Sequence, residues 1–142
     1  MLPILLGGLL FWANLYALTW LMSLGGLDEL LYGRGSWWLN ESLIVKAAYV
    51  GVVAPFVEEL LFRRLLLNQF INKKKAAAGL LLSSLLFGLW HMLYGWGPLK
   101  TADMFLVGLA FGLSYMKWGF KGSLLTHYTN NLMALLLMTK PI

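Results

Sequence analysis

Three short motifs place ionisable or amide side chains inside otherwise apolar stretches of the sequence. An ionisable group in apolar surroundings is costly, so it is expected to have a partner and a function. Carboxylates and imidazoles can serve as general bases or acids when their surroundings tune them, which makes hydrolysis the chemistry to consider. The motifs are VEELLFRR with Glu58, Glu59 and Arg63, FGLWH with Phe87 and His91, and HYTNN with His127 and Asn131.

The first motif combines an ion pair with a second carboxylate. Glu59 and Arg63 stand four residues apart with the acid first, which is the favourable order for a helical ion pair. Glu58 is rotated by ~100° from Glu59 on a helix and cannot share that partner equally. Glu58 is therefore the candidate unpaired carboxylate. The alternative is that all three are interfacial residues of a helix that leaves the membrane.

The other two motifs have bland interpretations when each is taken alone. A single histidine such as His91, one turn after Phe87, is more often a hydrogen-bonded packing residue than a catalyst. His127 and Asn131 project from one helix face, where they could simply join helices to each other. Asn130 could take the place of Asn131 in this pair, so both remain candidates.

The composition indicates that these motifs lie in a membrane protein. The chain has 142 residues, of which 60% are hydrophobic and 12% are charged, against the roughly 25% charged residues of ordinary globular proteins. A mean hydropathy of +0.73 is too high for a small soluble domain, whose surface is large relative to its interior. The absence of cysteine excludes disulfides, thiolate zinc sites and cysteine nucleophiles.

Charged clusters divide the chain into five apolar segments that favour helices, since ~20 apolar residues span a bilayer. The sequence predicts an all-α, polytopic integral membrane bundle of about five transmembrane helices around a polar intramembrane site. Residues 1–27 form a first helix that is peripheral to the site, and residues 37–139 form a core of four further helices. The five segments cover about 1–27, 37–71, 76–98, 104–115 and 123–139.

The first segment has a competing interpretation as a signal peptide. No Lys or Arg precedes its apolar run, and the run is long, so a transmembrane helix is favoured. The abrupt MLP start also fits a fragment of a longer protein. In the fourth segment, Gly108 and Gly112 have the spacing that allows close helix packing, either within one chain or between two, so the oligomeric state is open.

Basic residues predict the orientation, because they favour cytoplasmic loops. The turns after the second and fourth segments are basic and the alternate loops are not, which places the N-terminus inside and the C-terminus outside. The net charge of +5 is thus explained by topology and by membrane lipid headgroups, and nucleic-acid binding is not supported. The basic residues are Arg63, Arg64, Lys73, Lys74, Lys75, Lys117 and Lys121.

Residue counts from the turns predict which motifs meet. Glu58 lies fifteen residues before Lys73 and His91 lies sixteen after Lys75, so the two side chains have about the same depth in a helical hairpin. His127 lies only six residues after Lys121, or ~9 Å of helix. It reaches that depth only if the second and third helices extend several residues into the cytoplasm.

The ordered set of motifs resembles the CPBP family, the CAAX-protease and bacteriocin-processing intramembrane proteases that are also called Abi proteins. The resemblance rests on EExxxR at Glu58, FxxxH at Phe87 and HxxxN at His127, each on its own hydrophobic segment. The segment 105–112 is similar to a further, less constant motif of the family. The resemblance covers about residues 52–138.

The resemblance implies an intramembrane endopeptidase whose site faces the cytoplasm. The expected location is the bacterial plasma membrane. By this carry-over, Glu58 and His91 activate a water, and His127 and Asn131 stabilise the oxyanion. Glu59, Arg63 and Phe87 support the site. The cofactor question stays open, since metal-independent catalysis is favoured but Glu58, His91 and His127 could hold zinc.

Two other functions compete with a protease. Some members of the resembled family are associated with self-immunity to bacteriocins, so a non-catalytic binding protein is the main alternative. A small transporter would also place Glu and His at mid-membrane, but inverted repeats are not evident. As partners we expect membrane lipid and a peptide or membrane-associated protein substrate, and the sequence does not select among prenylated CAAX proteins, bacteriocin leaders and other peptides.

Overall fold

The computed structural model describes residues 1–33 and 40–138, and this part of the chain is helical without a strand. The expected start of the second segment at Trp37 and the expected end of the fifth at Thr139 lie outside the described residues. The helices are α1 (Leu2–Ser23), α2 (Asp28–Tyr32), α3 (43–72), α4 (Ala76–Met92), and the two arms of Pro98–Met138, which we call α5 (98–118) and α6 (120–138).

Helix α3 carries the first motif and is wound unevenly. The Ser42 hydroxyl caps its start by accepting a hydrogen bond from the Val45 amide. Two stretches are π-helical, and such wide turns are often found at functional sites. Glu58 and Glu59 stand at the junction before the second wide stretch. The consecutive segments are Leu43–Ala48, Tyr49–Val53 (π), Ala54–Glu58, Glu59–Leu67 (π) and Asn68–Asn72.

Helices α5 and α6 form an antiparallel hairpin that reverses at Gly119. The φ of 69° at Gly119 is in the region that favours glycine. The Ser114 and Thr126 hydroxyls lie 2.8 Å apart across the hairpin, and the Ser123 hydroxyl oxygen lies 2.9 Å from the Phe111 carbonyl oxygen. Two helices thus lie where the fourth and fifth apolar segments were expected.

The bundle has two distinct ends. We call the end that holds the turn at 73–75 and the reversal at Gly119 the basic end. We call the other end the loop end, where α2 meets the loop before α5 and the Gly97 amide donates to the Leu31 carbonyl at 3.1 Å. Helix α1 runs from Pro3, beside Thr126 of α6, toward the loop end.

The two glycines of the fourth segment pack within the chain. A Cβ on Gly108 would lie 3.1 Å from the Cα of Ser84, so α5 approaches the backbone of α4 closely there. One turn later on α5, a Cβ on Gly112 would clash with the side chain of Leu80 on α4. Because both glycines pack against α4 of the same chain, contact with a second chain is not needed to explain their spacing.

The distribution of polar residues is the reverse of that in a water-soluble protein. Large apolar side chains such as Leu9, Tyr16 and Ile44 are exposed, while charged and hydroxyl-bearing side chains are buried between the helices. Lipid is the solvent that favours this arrangement. The buried polar residues include Glu58, Glu59, Arg63, Ser83, Ser84, Ser114, Ser123, Thr126 and His127.

The all-α prediction is confirmed, whereas the number of membrane crossings stays a prediction. Within the described residues, only α1 is both long and apolar enough to be recognised as a membrane span by itself. Helix α4 is apolar but shorter. The others carry charged residues or breaks, because they supply the polar interior.

Cysteine labelling tests the predicted orientation, and the natural chain offers a cysteine-free background. Asn72→Cys, exposed at the basic end, should react with a membrane-impermeant maleimide only after the membrane is permeabilised. Leu93→Cys, exposed at the loop end, should react in intact cells. This follows from the preference of basic turns for the cytoplasm. Labelling of Asn72→Cys alone in intact cells would show the opposite orientation.

Candidate active site

The site is built around Arg63, whose side chain is fully buried. Its Nη2 donates to the Gly108 carbonyl of α5 at 2.9 Å, and its Nη1 lies 3.6 Å from Glu59 Oε1. The guanidinium also stands 4.5 Å from the centre of the Phe87 ring on α4. The predicted Glu59–Arg63 pair is therefore present, and Arg63 contacts three helices.

Glu59 links this arginine to the third motif. The carboxylate accepts a hydrogen bond from the Ser123 hydroxyl, and Glu59 Oε1 lies 3.0 Å from His127 Nδ1. Ser123 and His127 both belong to α6, one turn apart. Glu59 thereby ties α3 to α6, and its charge is balanced by Arg63 on one side and by donors of α6 on the other.

His127 brings the two glutamates together. Its Nε2 lies 3.5 Å from Glu58 Oε2, while its Nδ1 faces Glu59. The imidazole is stacked on Phe111 with ring centres 4.2 Å apart and planes inclined by 27°. The expectation that Glu58 is unpaired is wrong, because the fold places His127 beside it. The angle between Glu58 and Glu59 on their own helix could not reveal a partner on another helix.

His91 is held by its own helix. Its Nδ1 lies 2.9 Å from the Phe87 carbonyl, and its ring packs against the Phe87 ring at 4.9 Å between centres. A carbonyl can only accept, so Nδ1 must donate and Nε2 is left as an acceptor. A histidine with this tautomer can accept a hydrogen bond from a water molecule.

A cavity of about 630 Å³ brings the predicted residues to one space. Glu58, His91, His127, Asn130 and Asn131 all line it. Its volume is in the range of ordinary ligand sites. The expected equal depth of Glu58 and His91 is consistent with this common lining.

Helix α1 also lines the cavity, although the sequence led us to expect it at the periphery. Its lining residues are Phe11, Asn14, Leu15 and Leu18. Gly7 explains part of the close approach, since a Cβ there would clash with the backbone of Thr126 on α6. The first helix is thus a wall of the candidate site.

The cavity extends from the motifs toward the loop end, where Leu31, Trp96 and Leu137 line it. Among the described residues, none from the 73–75 turn or from the reversal at Gly119 does so. The two expectations about orientation therefore disagree. The preference of basic turns places the basic end in the cytoplasm, whereas a site that faces the cytoplasm would place the loop end there. Labelling of Asn72→Cys and Leu93→Cys decides which of these two expectations holds.

The two asparagines are hydrogen-bonded to each other and to α3. Asn131 Nδ2 donates to the Val50 carbonyl at 2.9 Å, inside the first π-helical stretch. Asn130 Nδ2 donates to Asn131 Oδ1 at 3.3 Å. An amide group has two N–H donors, so Asn131 retains a second one besides that given to Val50.

The residues do not form a ready metal site. Over residues 1–33 and 40–138, no three His, Asp or Glu side chains converge closely enough to hold one ion. The possible zinc set Glu58, His91 and His127 is therefore not gathered into one ligand group, and no step is assigned to zinc.

Sequence reasoning missed two residues that position the site. Ser123 precedes His127 by four residues and so shares its helix face, a spacing that could have identified it. Phe111 lies in the recognised segment 105–112, but its stacking on His127 depends on the hairpin at Gly119. The spacing of nearby residues in the sequence gives no indication of that contact.

Loss of the buried arginine should mainly destabilise the protein. Arg63→Ala leaves Glu59 without its cation and opens a space beside Phe87, so we expect the free energy of unfolding to fall by about 3–5 kcal/mol. Thermal unfolding in detergent measures this. Arg64→Ala, at the exposed neighbouring position, is the matched control and should change stability by less than about 0.5 kcal/mol. Equal melting temperatures for the two variants would contradict the role of the pair.

Comparison with known families gives one match. The sequence model of a family described as type II CAAX prenyl endopeptidase, Rce1-like, matches residues 40–133. The matched region lies within the predicted core at 37–139 and contains all three motifs. No curated protein and no solved structure matches the chain.

Proposed function

The chain belongs to the Rce1-like type II CAAX prenyl endopeptidase family, and from this premise we propose that it is a membrane-embedded endopeptidase. The observation that carries the proposal is the common cavity lined by Glu58, His91 and His127. A carboxylate that lies beside one imidazole and shares a mostly apolar cavity with a second is suited to water activation. The proposed substrate is a membrane-associated protein or a peptide, and the proposed location is the bacterial plasma membrane.

In the proposed reaction, Glu58 takes a proton from a water molecule that also donates to His91 Nε2. The oxygen of that water forms a bond to the carbonyl carbon of the substrate. Glu58 then passes the proton to the leaving amine as the peptide bond breaks. The products are a carboxylic acid and an amine, so one water molecule is consumed per bond. The acceptor tautomer of His91 supports its part in this step.

The developing oxyanion is assigned to His127 and Asn131. The donors are the second N–H of Asn131 and the Nε2–H of a protonated His127, which is released from Glu58 once that carboxylate has taken the proton of the water. Each such donor is often worth about 3 kcal/mol. Asn131 is held beside the cavity by the Val50 carbonyl. This prior placement lowers the cost of aligning it during the reaction.

Glu59 is a positioning residue in this scheme. An ionised carboxylate only accepts, so the 3.0 Å contact places a proton on His127 Nδ1 and directs Nε2 toward Glu58. The same carboxylate would stabilise a positive charge on His127. Arg63 and Ser123 hold Glu59, and Phe111 holds the plane of the imidazole.

The direct test replaces Glu58. Glu58→Gln keeps the shape of the side chain but removes the base, so the rate of peptide cleavage should fall by about 10²- to 10⁴-fold. Cleavage is measured on purified protein by mass spectrometry of a peptide library. Glu29→Gln, at an exposed position on α2, is the control and should retain the rate. Equal cleavage by wild type and Glu58→Gln would reject the mechanism.

The absence of cleavage by every protein, with normal folding, would favour the immunity or binding function instead. Thermal unfolding and membrane insertion of Glu58→Gln should match wild type, which separates chemistry from folding. His91→Gln should show the same loss of cleavage. A His91 variant with full activity would remove His91 from the site.

Variants of Asn130 and Asn131 decide which of these neighbouring residues donates to the oxyanion. Asn131→Ala should lower kcat by about 10²- to 10³-fold, as loss of an oxyanion donor does. Asn130→Ala should lower it by less than about tenfold, because Asn130 acts through its hydrogen bond to Asn131. Steady-state kinetics of the two variants provides the comparison. The reverse order of effects would assign the oxyanion role to Asn130.

A further inference from the structure

A lysine lines the cavity beside the turn of α4 that carries the second motif, where a Cβ on Gly88 would lie 2.6 Å from the carbonyl oxygen of the neighbouring Thr101. Lys100 begins α5 near the loop end, and its side chain is 18% exposed. Among the described residues that line the cavity, it is the only Lys or Arg. We propose that Lys100 binds the C-terminal carboxylate of the peptide substrate. The inference rests on the proposed function for the nature of its ligand.

The lysine is held in a defined place. Its Nζ lies 2.6 Å from Asp103 Oδ2, and the other oxygen of Asp103 accepts from Asn14 Nδ2 on α1. An ammonium group has three donors, and Asp103 occupies one of them. The remaining donors are available to a second anion. Asp103 positions the ammonium and also competes with that anion.

The cavity face of α5 gives the distance from Lys100 to the level of His127, where the oxyanion is proposed to form. Lys100, Met104, Val107 and Phe111 all line the cavity at helical spacing, and Phe111 is stacked on His127. Eleven residues separate Lys100 from Phe111, which corresponds to ~16 Å along a helix. An extended peptide rises ~3.3 Å per residue. Four or five residues therefore span the distance.

The wall between the two ends is apolar. Met104 and Val107 of α5 and Leu15 and Leu18 of α1 all line this space. Such a wall favours apolar side chains on the substrate. The ligand that fits is thus a short apolar peptide end whose free carboxylate meets Lys100.

A purely structural role for the Lys100–Asp103 pair makes a different prediction. If the pair only joined helices, loss of either partner would weaken the protein and its binding alike. If Lys100 binds an anion, removal of the competing charge in Asp103→Asn strengthens binding. The two roles therefore differ in the sign of the Asp103 effect.

The experiment measures binding without hydrolysis, in full-length Glu58→Gln protein in detergent. The probe is the acetylated pentapeptide Gly-Ala-Val-Ile-Leu, prepared as the free acid and as the C-terminal amide, and Kd is obtained by calorimetry. We expect the acid to bind about tenfold more tightly than the amide, as a charge-assisted hydrogen bond allows. Lys100→Met should remove this preference, and Lys100→Arg should retain it. Asp103→Asn should increase it.

Lys73→Met, which removes an exposed lysine at the basic end, is the matched control and should keep the preference. Thermal unfolding confirms that each variant is folded. Equal binding of acid and amide, no binding of either, or a preference that survives Lys100→Met would overturn the inference. A loss of preference in Asp103→Asn would also count against it.

A lipid phosphate carries the same kind of charge as a carboxylate, so glycerol phosphate is included as a competitor. Its binding to the Lys100 protein, with no preference for the peptide acid, would assign the site to a headgroup and reject the peptide. The outcome also separates the two proposals. A preference for the acid in a chain whose wild type cleaves no peptide would retain the Lys100 site and reject the protease.

Discussion

The buried guanidinium of Arg63 is the charge on which the arrangement of the interior depends. A charge removed from water is tolerated only when opposite charge and hydrogen bonds compensate it. Here those partners come from three helices: Glu59 on its own helix, the Gly108 carbonyl on α5 and the Phe87 ring on α4. The need to compensate one buried positive charge thus constrains how the three helices meet. In lipid, where apolar surfaces attract each other weakly, this requirement is especially effective.

A series of electrostatic contacts leads from Arg63 to the cavity. Glu59 neutralises the arginine and orients His127, and His127 in turn lies against Glu58. Each group therefore sets the environment of the next one. This coupling makes the two glutamates unequal in spite of their adjacent positions, since Glu59 is held by buried donors while Glu58 lines the cavity. A base at the end of such a series is positioned without contacting the arginine directly.

Local spacing predicted the contacts that lie within one helix and failed for those between helices. The Glu59–Arg63 pair follows from four residues of separation, and it is present. The partner of Glu58 did not follow, because His127 comes from a helix 69 residues later in the sequence. The place of α1 was also misjudged, since its apolar face gives no sign that Asn14 meets Asp103. Equal counts from a turn predicted that Glu58 and His91 share a depth, and both residues line the same cavity.

The sequence by itself determined an all-helical chain, the three motifs and the family they indicate, because helix periodicity and local ion pairs act over a few residues. Only the tertiary structure decided which side chains share the cavity, which carboxylate faces His127, and that α1 forms a wall of the site. The hairpin at Gly119 brings Phe111 and Ser123 to His127, and the wide turns of α3 present Val50 to Asn131. These contacts depend on helix rotation and close approach, which arise from packing and from the need to satisfy buried polar groups.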